Sequence, residues 1–154
     1  MTAKTFEELS KENQELVRSA IKVRSHAYVP QSGYQVGSAL RVRGNDTIFV
    51  GCNVENAIYL ASHAEQVAIT NAVAALGGEP KPYIESIAIA LFTEGGLHAF
   101  PCGFCRQMIN EFGSEETIVI GVLINQQGDI QSLEQTTLGE LLPYSFGSHY
   151  FIQE

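Results

Sequence analysis

Apolar residues recur at helical spacing from Thr5 to Arg24, where Phe6, Leu9, Leu16, Val17, Ala20, Ile21 and Val23 share one side of the helical period. Thr5 followed by Glu8 fits a capping box at the start of that helix. Pro30 and Gly33 break the pattern and predict a loop over His26 to Gly33. Gln35 to Arg43 reads as a strand, and Gly44-Asn45-Asp46 turns it into a second strand, Thr47 to Gly51. Asn53 to Ser62 is a connection. His63 to Leu76 predicts a second helix, with Val67, Ala68, Val73, Ala74 and Leu76 as its buried residues. Gly77 and Gly78 stop it, with Pro80 and Pro82 behind them. Ile84 to Phe92 is a short apolar run rich in β-branched residues, the mark of a strand buried on both faces. Thr93 to Phe100 reads as a loop, Gly103 to Phe112 as a third helix and Glu116 to Ile124 as another buried strand. A turn at Asn125 to Asp129 leads to a short strand, Ile130 to Leu133, and a short helix, Thr137 to Leu142, ends at Pro143. The alternation predicts an α/β fold, a mixed sheet of about five strands flanked by helices.

At 154 residues the chain fits one domain, 1–154, with room for a core that needs no disulfides. Hydrophobic residues make up 45% and charged residues 17%, which excludes a disordered chain. The net charge of −8 and pI of 4.9 argue against a nucleic-acid partner, which calls for clustered Lys and Arg. Arg41 and Arg43 are a basic pair at strand spacing and read as an exposed strand face. Met1–Ser10 is polar and acidic, unlike a signal peptide, and no apolar run approaches the roughly 20 residues that span a bilayer. Cys52, Cys102 and Cys105 do not suit a disulfide framework. No membrane partner and a cytoplasmic location are therefore expected.

Two short motifs carry chemistry: His63-Ala64-Glu65 and Pro101-Cys102-Gly103-Phe104-Cys105. In this order they match H-x-E…P-C-x-x-C, the pattern of deaminases that activate water with zinc. One imidazole and two thiolates supply three ligands and leave one tetrahedral position open for water. His63 in the first turn of one helix, and Cys102 and Cys105 across the start of the next, would bring two positive helix ends to the metal and favour thiolate. Glu65, two residues past the His, is placed to move protons without binding the ion. Taken singly, the pieces have blander readings. Cys-x-x-Cys alone is a redox dithiol motif, His63 a cap or buried residue, and Glu65 a solvated helix charge. The two motifs together outweigh these. Cys52 as a fourth ligand would close the site and make it structural; a small buried residue at a strand end is preferred. His98 would compete for the metal, but an exposed loop residue is preferred, as for His26 and His149.

The order of Ala27-Tyr28-Val29-Pro30, Tyr34-Gln35-Val36-Gly37-Ser38-Ala39-Leu40, Gly51-Cys52-Asn53-Val54-Glu55-Asn56-Ala57, His63-Ala64-Glu65, Pro101-Cys102-Gly103-Phe104-Cys105-Arg106-Gln107 and Leu141-Leu142-Pro143-Tyr144-Ser145-Phe146-Gly147 resembles the cytidine deaminases, in particular the small homotetrameric type. The likeness runs from about Leu16 to Gly147. It implies a three-layer α/β/α cytidine deaminase-like fold and about one Zn2+ per chain, held by His63, Cys102 and Cys105. It further implies hydrolytic deamination of cytidine and deoxycytidine, with Glu65 relaying protons and ammonia released. Asn53 and Glu55 match residues that bind the ribose hydroxyls, Tyr34 an aromatic beside the pyrimidine, and Ala64 a backbone contact to the base. Phe146 matches a residue that enters a neighbouring subunit's pocket, so a homotetramer is expected, with a dimer as the alternative. The aromatics Tyr144, Phe146, Tyr150 and Phe151 suit such an interface.

Two departures from the small type go together. His63 stands where those members usually have Cys, and Gln66 where Arg usually follows. Zinc on three thiolates carries a net negative charge that an Arg offsets; on two thiolates and a neutral imidazole it carries none. The larger dimeric members show a similar His-Ala-Glu-Gln. Arg106 remains available to hydrogen-bond a ligand sulfur. Tyr34 in place of the usual Phe adds a hydroxyl to the base pocket, and the stretch from Glu55 to His63 is about one residue short. Both features support a second reading, a deaminase of a modified cytosine nucleoside such as a nucleoside antibiotic. The third is a non-catalytic zinc-stabilised binding module, against which Glu65 speaks, since a structural site has no use for that carboxylate. The acidic charge and the ribose-type Asn53 and Glu55 disfavour a nucleic-acid editing enzyme.

Overall fold

The computed structural model describes residues 1–79, 81–95 and 98–147. Its main sheet has six strands in the order β1 (Thr2–Ala3), β8 (Ile130–Thr137), β7 (Ile118–Ile124), β6 (Ile84–Leu91), β2 (Val36–Val42) and β3 (Ile48–Cys52). Only β6 and β7 run parallel; the other pairs are antiparallel. A parallel pair needs a crossover, and α3 (Gly103–Phe112) supplies it. α1 (Lys11–Arg24) packs Leu16, Val17 and Ala20 on one face of the sheet, against Ala39, Ala88, Ala90, Ile120 and Val122. The other face packs Leu40, Ile87, Ile89, Val119 and Leu123 against α2 (Ala64–Leu76), α3 and the short α4 (Leu138–Leu141). β6 and β7 feed both cores with alternate residues, so they read as unbroken apolar runs. The layers are therefore α/β/α around a mixed sheet.

The sixth strand is Thr2–Ala3, which pairs with Gln135 and Glu134 on the edge of β8 and is too short to show an alternation. A separate ribbon, β4 (Val54–Glu55) with β5 (Ala61–Ser62), lies inside the expected connection. β8 runs on past Leu133 to Thr137, hidden in the sequence by its polar outer residues. The first helix does not start at Thr5. Thr5 N–H donates to Glu8 at 2.6 Å, but this bond closes a 3-10 turn over Phe6–Glu8. Ser10 then accepts from Asn13 N–H at 3.2 Å and starts α1 at Lys11. Arg41 and Arg43 do not form an open basic face. Arg41 is largely covered beside Glu15 at 4.0 Å, and the Arg43 guanidinium lies 4.0 Å over the Tyr83 ring.

α2 buries a different set of residues from the expected one. Ala68 is buried, but Val67 and Val73 are half-buried, and Ala74 and Leu76 are exposed. The packed face is Ala64, Glu65, Ala68, Ile69 and Ala72. The reason is close approach to β3: a Cβ on Gly51 would sit 2.4 Å from both the Ala64 carbonyl oxygen and the Ala68 nitrogen. Only small residues fit that seam. Gly51→Ala is expected to push the first turn of α2 outward and to cost about 1–3 kcal/mol. Ala64 sits between His63 and Glu65, so turnover should fall with stability. A thermal melt and an activity assay check this; an unchanged melting temperature would contradict the seam.

Candidate active site

Two helices begin with a chemically active residue. His63 is the N-cap of α2, with φ −78° and ψ 149°, and Cys102 is the N-cap of α3, with φ −66° and ψ 168°. His63 N–H donates to Gln66 Oε1 at 3.4 Å, which fixes the first turn of α2. Cys105 follows one turn into α3 and is fully buried, whereas Cys102 is exposed. His63 Nδ1 lies 3.4 Å from Cys102 Sγ and 3.3 Å from Cys105 Sγ. All three donors fall within 4.8 Å of one another. With Zn–S near ~2.3 Å and Zn–N near ~2.0 Å, the N···S edge of a tetrahedron is about 3.5 Å. The spacing therefore fits a single zinc ion with its fourth corner open.

The charge balance fits as well. Burial, then the neighbouring Glu65 and Cys102, push the Cys105 thiol above its ordinary range. A divalent cation supplies the positive charge that a thiolate needs there, and the two helix N-termini add to it. Cys52 lies at the end of β3, outside this cluster. His98 is engaged elsewhere: its Nδ1 is 2.7 Å from Glu134 Oε2, and its ring stacks on Phe100 at 6.0 Å. His26 is exposed, and His149 lies outside the described residues, as do Tyr150 and Phe151.

Glu65 is 5% exposed. Burial pushes its carboxyl above the ordinary carboxylate range, partly offset by its own backbone N–H, the Cys105 thiol and the nearby His63. A cavity of 260 Å3 opens onto Glu65, His63, Ala64, Cys102 and Asn53, with Val36, Ile89, Leu91 and Phe100 as apolar walls and Tyr34 and Ala61 completing it. Burial, then the Glu65 charge, raises the Tyr34 phenol. Asn53 clasps the segment beside it, donating from Nδ2 to the Tyr34 carbonyl at 2.7 Å and accepting from Val36 N–H at 2.8 Å.

Glu55 does not line this cavity. It lines an adjoining hollow with Gln31, Ser32, Tyr59 and Leu60, and Ala61 is shared by both. Its carboxylate accepts from Gln31 N–H at 2.9 Å, Ser32 N–H at 3.1 Å and the Ser32 hydroxyl. These bonds, the Ser32 hydroxyl first, hold it below the ordinary range. Arg106 departs from expectation. It donates not to a sulfur but to the Pro101 carbonyl at 2.8 Å and the Leu141 carbonyl at 2.9 Å, tying the residue before Cys102 to the C-terminal segment. Phe146 is 56% exposed and lies outside its own chain's cavity; its carbonyl accepts from Gln107 at 2.7 Å and Asn110 at 3.1 Å. Sequence reasoning missed Phe100, whose signal is its place before Pro101. It also missed Gln31 and Ser32, which carry no signal without the fold.

Three donors with an open corner beside a buried carboxyl make a hydrolytic metal centre rather than a closed structural one. The family model described as "Cytidine and deoxycytidylate deaminase zinc-binding region" matches residues 10–121, and the chain belongs to that family. It is 38% identical over 134 residues to a cytidine deaminase of Sporosarcina psychrophila, covering 86% of this chain and 90% of that one. It is also 38% identical over 136 residues to one of Halalkalibacterium halodurans, covering 88% and 94%. The solved cytidine deaminase of Burkholderia pseudomallei superposes with a TM-score of 0.72 at 36% identity, over 90% of this chain and 100% of that one.

Proposed function

We propose that the chain is a zinc-dependent cytidine deaminase, converting cytidine and deoxycytidine with water to uridine and deoxyuridine with release of ammonia. The observation that carries this is the convergence of His63 Nδ1, Cys102 Sγ and Cys105 Sγ on one point, with Glu65 buried beside them in one cavity. Bound zinc lowers the pKa of coordinated water to about 7 and so supplies a nucleophile at neutral pH. Glu65 takes one proton from the attacking water and delivers it to N3 of the base as the oxygen bonds to C4. It then takes the remaining proton from that oxygen and passes it to the exocyclic nitrogen; the C4–N bond breaks, ammonia leaves and C4 keeps a carbonyl. A buried carboxyl with a raised pKa suits this back-and-forth transfer.

Asn53 and Glu55 hold the sugar hydroxyls in this reading. Asn53 retains a second N–H, and a carboxylate has about four acceptor positions, of which Glu55 uses three on the 31–32 turn. The Ala64 backbone and Tyr34 flank the base. Gln66 and Arg106 brace the two ligand-bearing helix starts. Phe146 completes the pocket of a neighbouring subunit in a homotetramer, with a dimer as the alternative; its exposed ring supports this. Residues 1–154 act as one domain. The free cysteines suit a cytoplasmic protein, and among the described residues no helix is long and apolar enough to cross a membrane.

The Tyr34 hydroxyl at the cavity, and the hollow beside it, favour a modified cytosine nucleoside as the second reading. Ammonia release from cytidine, deoxycytidine, cytosine, dCMP and a modified cytosine nucleoside separates the two. Cytidine and deoxycytidine are expected to react best. No ammonia from either with zinc-loaded protein would overturn the proposal.

A further inference from the structure

We propose that Phe104 is a positioning residue for the metal site: its ring holds the His63 imidazole with Nδ1 turned toward the two sulfurs and slows escape of the ion. The inference rests on the zinc reading above. Phe104 lies between the two cysteine ligands, in the first turn of α3. Its ring centroid is 5.6 Å from that of His63, with planes tilted by 59°, an ordinary geometry for a favourable ring pair. Yet Phe104 is 52% exposed and contributes nothing to either hydrophobic core. Exposure of one ring is ordinary in itself; its contact with a metal-donor imidazole is what calls for a local reason.

The chemistry of His63 supplies one. A metal-binding imidazole is normally oriented by its second ring nitrogen, which donates to a carboxylate, carbonyl or water. Here Nδ1 faces the sulfurs, and among the described residues no protein group accepts from Nε2. Gln66 fixes the His63 backbone but not the swing of its ring. The ring contact with Phe104 is what remains to hold that angle.

The test is the rate at which zinc passes from the loaded protein to a chromogenic chelator in excess. Phe104→Ala is expected to release zinc about two- to tenfold faster, the range of one aromatic pair. Phe104→Tyr should match the parent, and Phe104→Leu, apolar but without a ring, should follow Ala. The metal-free melting temperature should fall by no more than the few degrees that one ring pair is worth. Parent-like release by Phe104→Ala would overturn the proposal. So would parent-like release by Phe104→Leu, or faster release accompanied by a metal-free melting temperature lowered by clearly more than that. A parent protein that takes up no zinc would instead overturn the zinc reading itself.

Discussion

Glu65→Gln is expected to keep zinc and fold while turnover drops by about 10²–10⁴-fold, the usual worth of a general acid–base group. The substitution preserves shape and polarity at a side chain that is 5% exposed. It removes only the ability to take and return a proton. The sign of the stability change follows from the environment. Burial disfavours the charged form of Glu65, so a neutral isostere should melt at the same temperature or above it. Zinc content, melting temperature and turnover on cytidine, measured together, make the test specific. Turnover within about tenfold of the parent, with zinc retained, would remove Glu65 from the reaction.

Cys102→Ala and Cys105→Ala are each expected to empty the metal site. Loss of a hydrogen-bond partner behind a ligand already costs about 10–100-fold in metal affinity, and loss of the ligand itself should exceed that. The pair separates metal loss from misfolding. Cys102 is exposed at the start of α3, so its removal should leave the apo fold untouched, whereas Cys105 sits fully buried against the core. Zinc measured by elemental analysis should fall well below one ion per chain in both variants. Full occupancy in both would overturn the ligand assignment.

The parts of this fold that were legible in the sequence are those set by local signals. α3 spans Gly103–Phe112 as its pattern predicts, and the central strands β6 and β7 stand within two residues of their apolar runs. The metal donors were legible for the same reason, since each motif is a short stretch at a helix start. What stayed hidden depends on partners distant in sequence. Thr2–Ala3 is a strand only because β8 offers its edge. Val67, Val73 and Leu76 look like core residues, but with the close seam at Gly51 the helix turns Ala64, Ile69 and Ala72 inward beside the expected Ala68. Arg106 finds carbonyls at Pro101 and Leu141, a meeting that only the packed C-terminal segment creates. Glu55 is drawn to the 31–32 turn, so the sugar-type motif Asn53-x-Glu55 is divided between two adjoining hollows.

Helix starts elsewhere in the chain are sealed in the usual way: Ser10 and Thr137 accept first-turn backbone N–H groups with their side chains. His63 and Cys102 make no such side-chain bond, although they occupy the same structural position. A capping residue there would be worth about 1 kcal/mol at each helix. Ser at positions 63 and 102 would strengthen the metal-free fold by about that much at each helix, while giving up the stabilisation that an ion bound only by the folded chain confers.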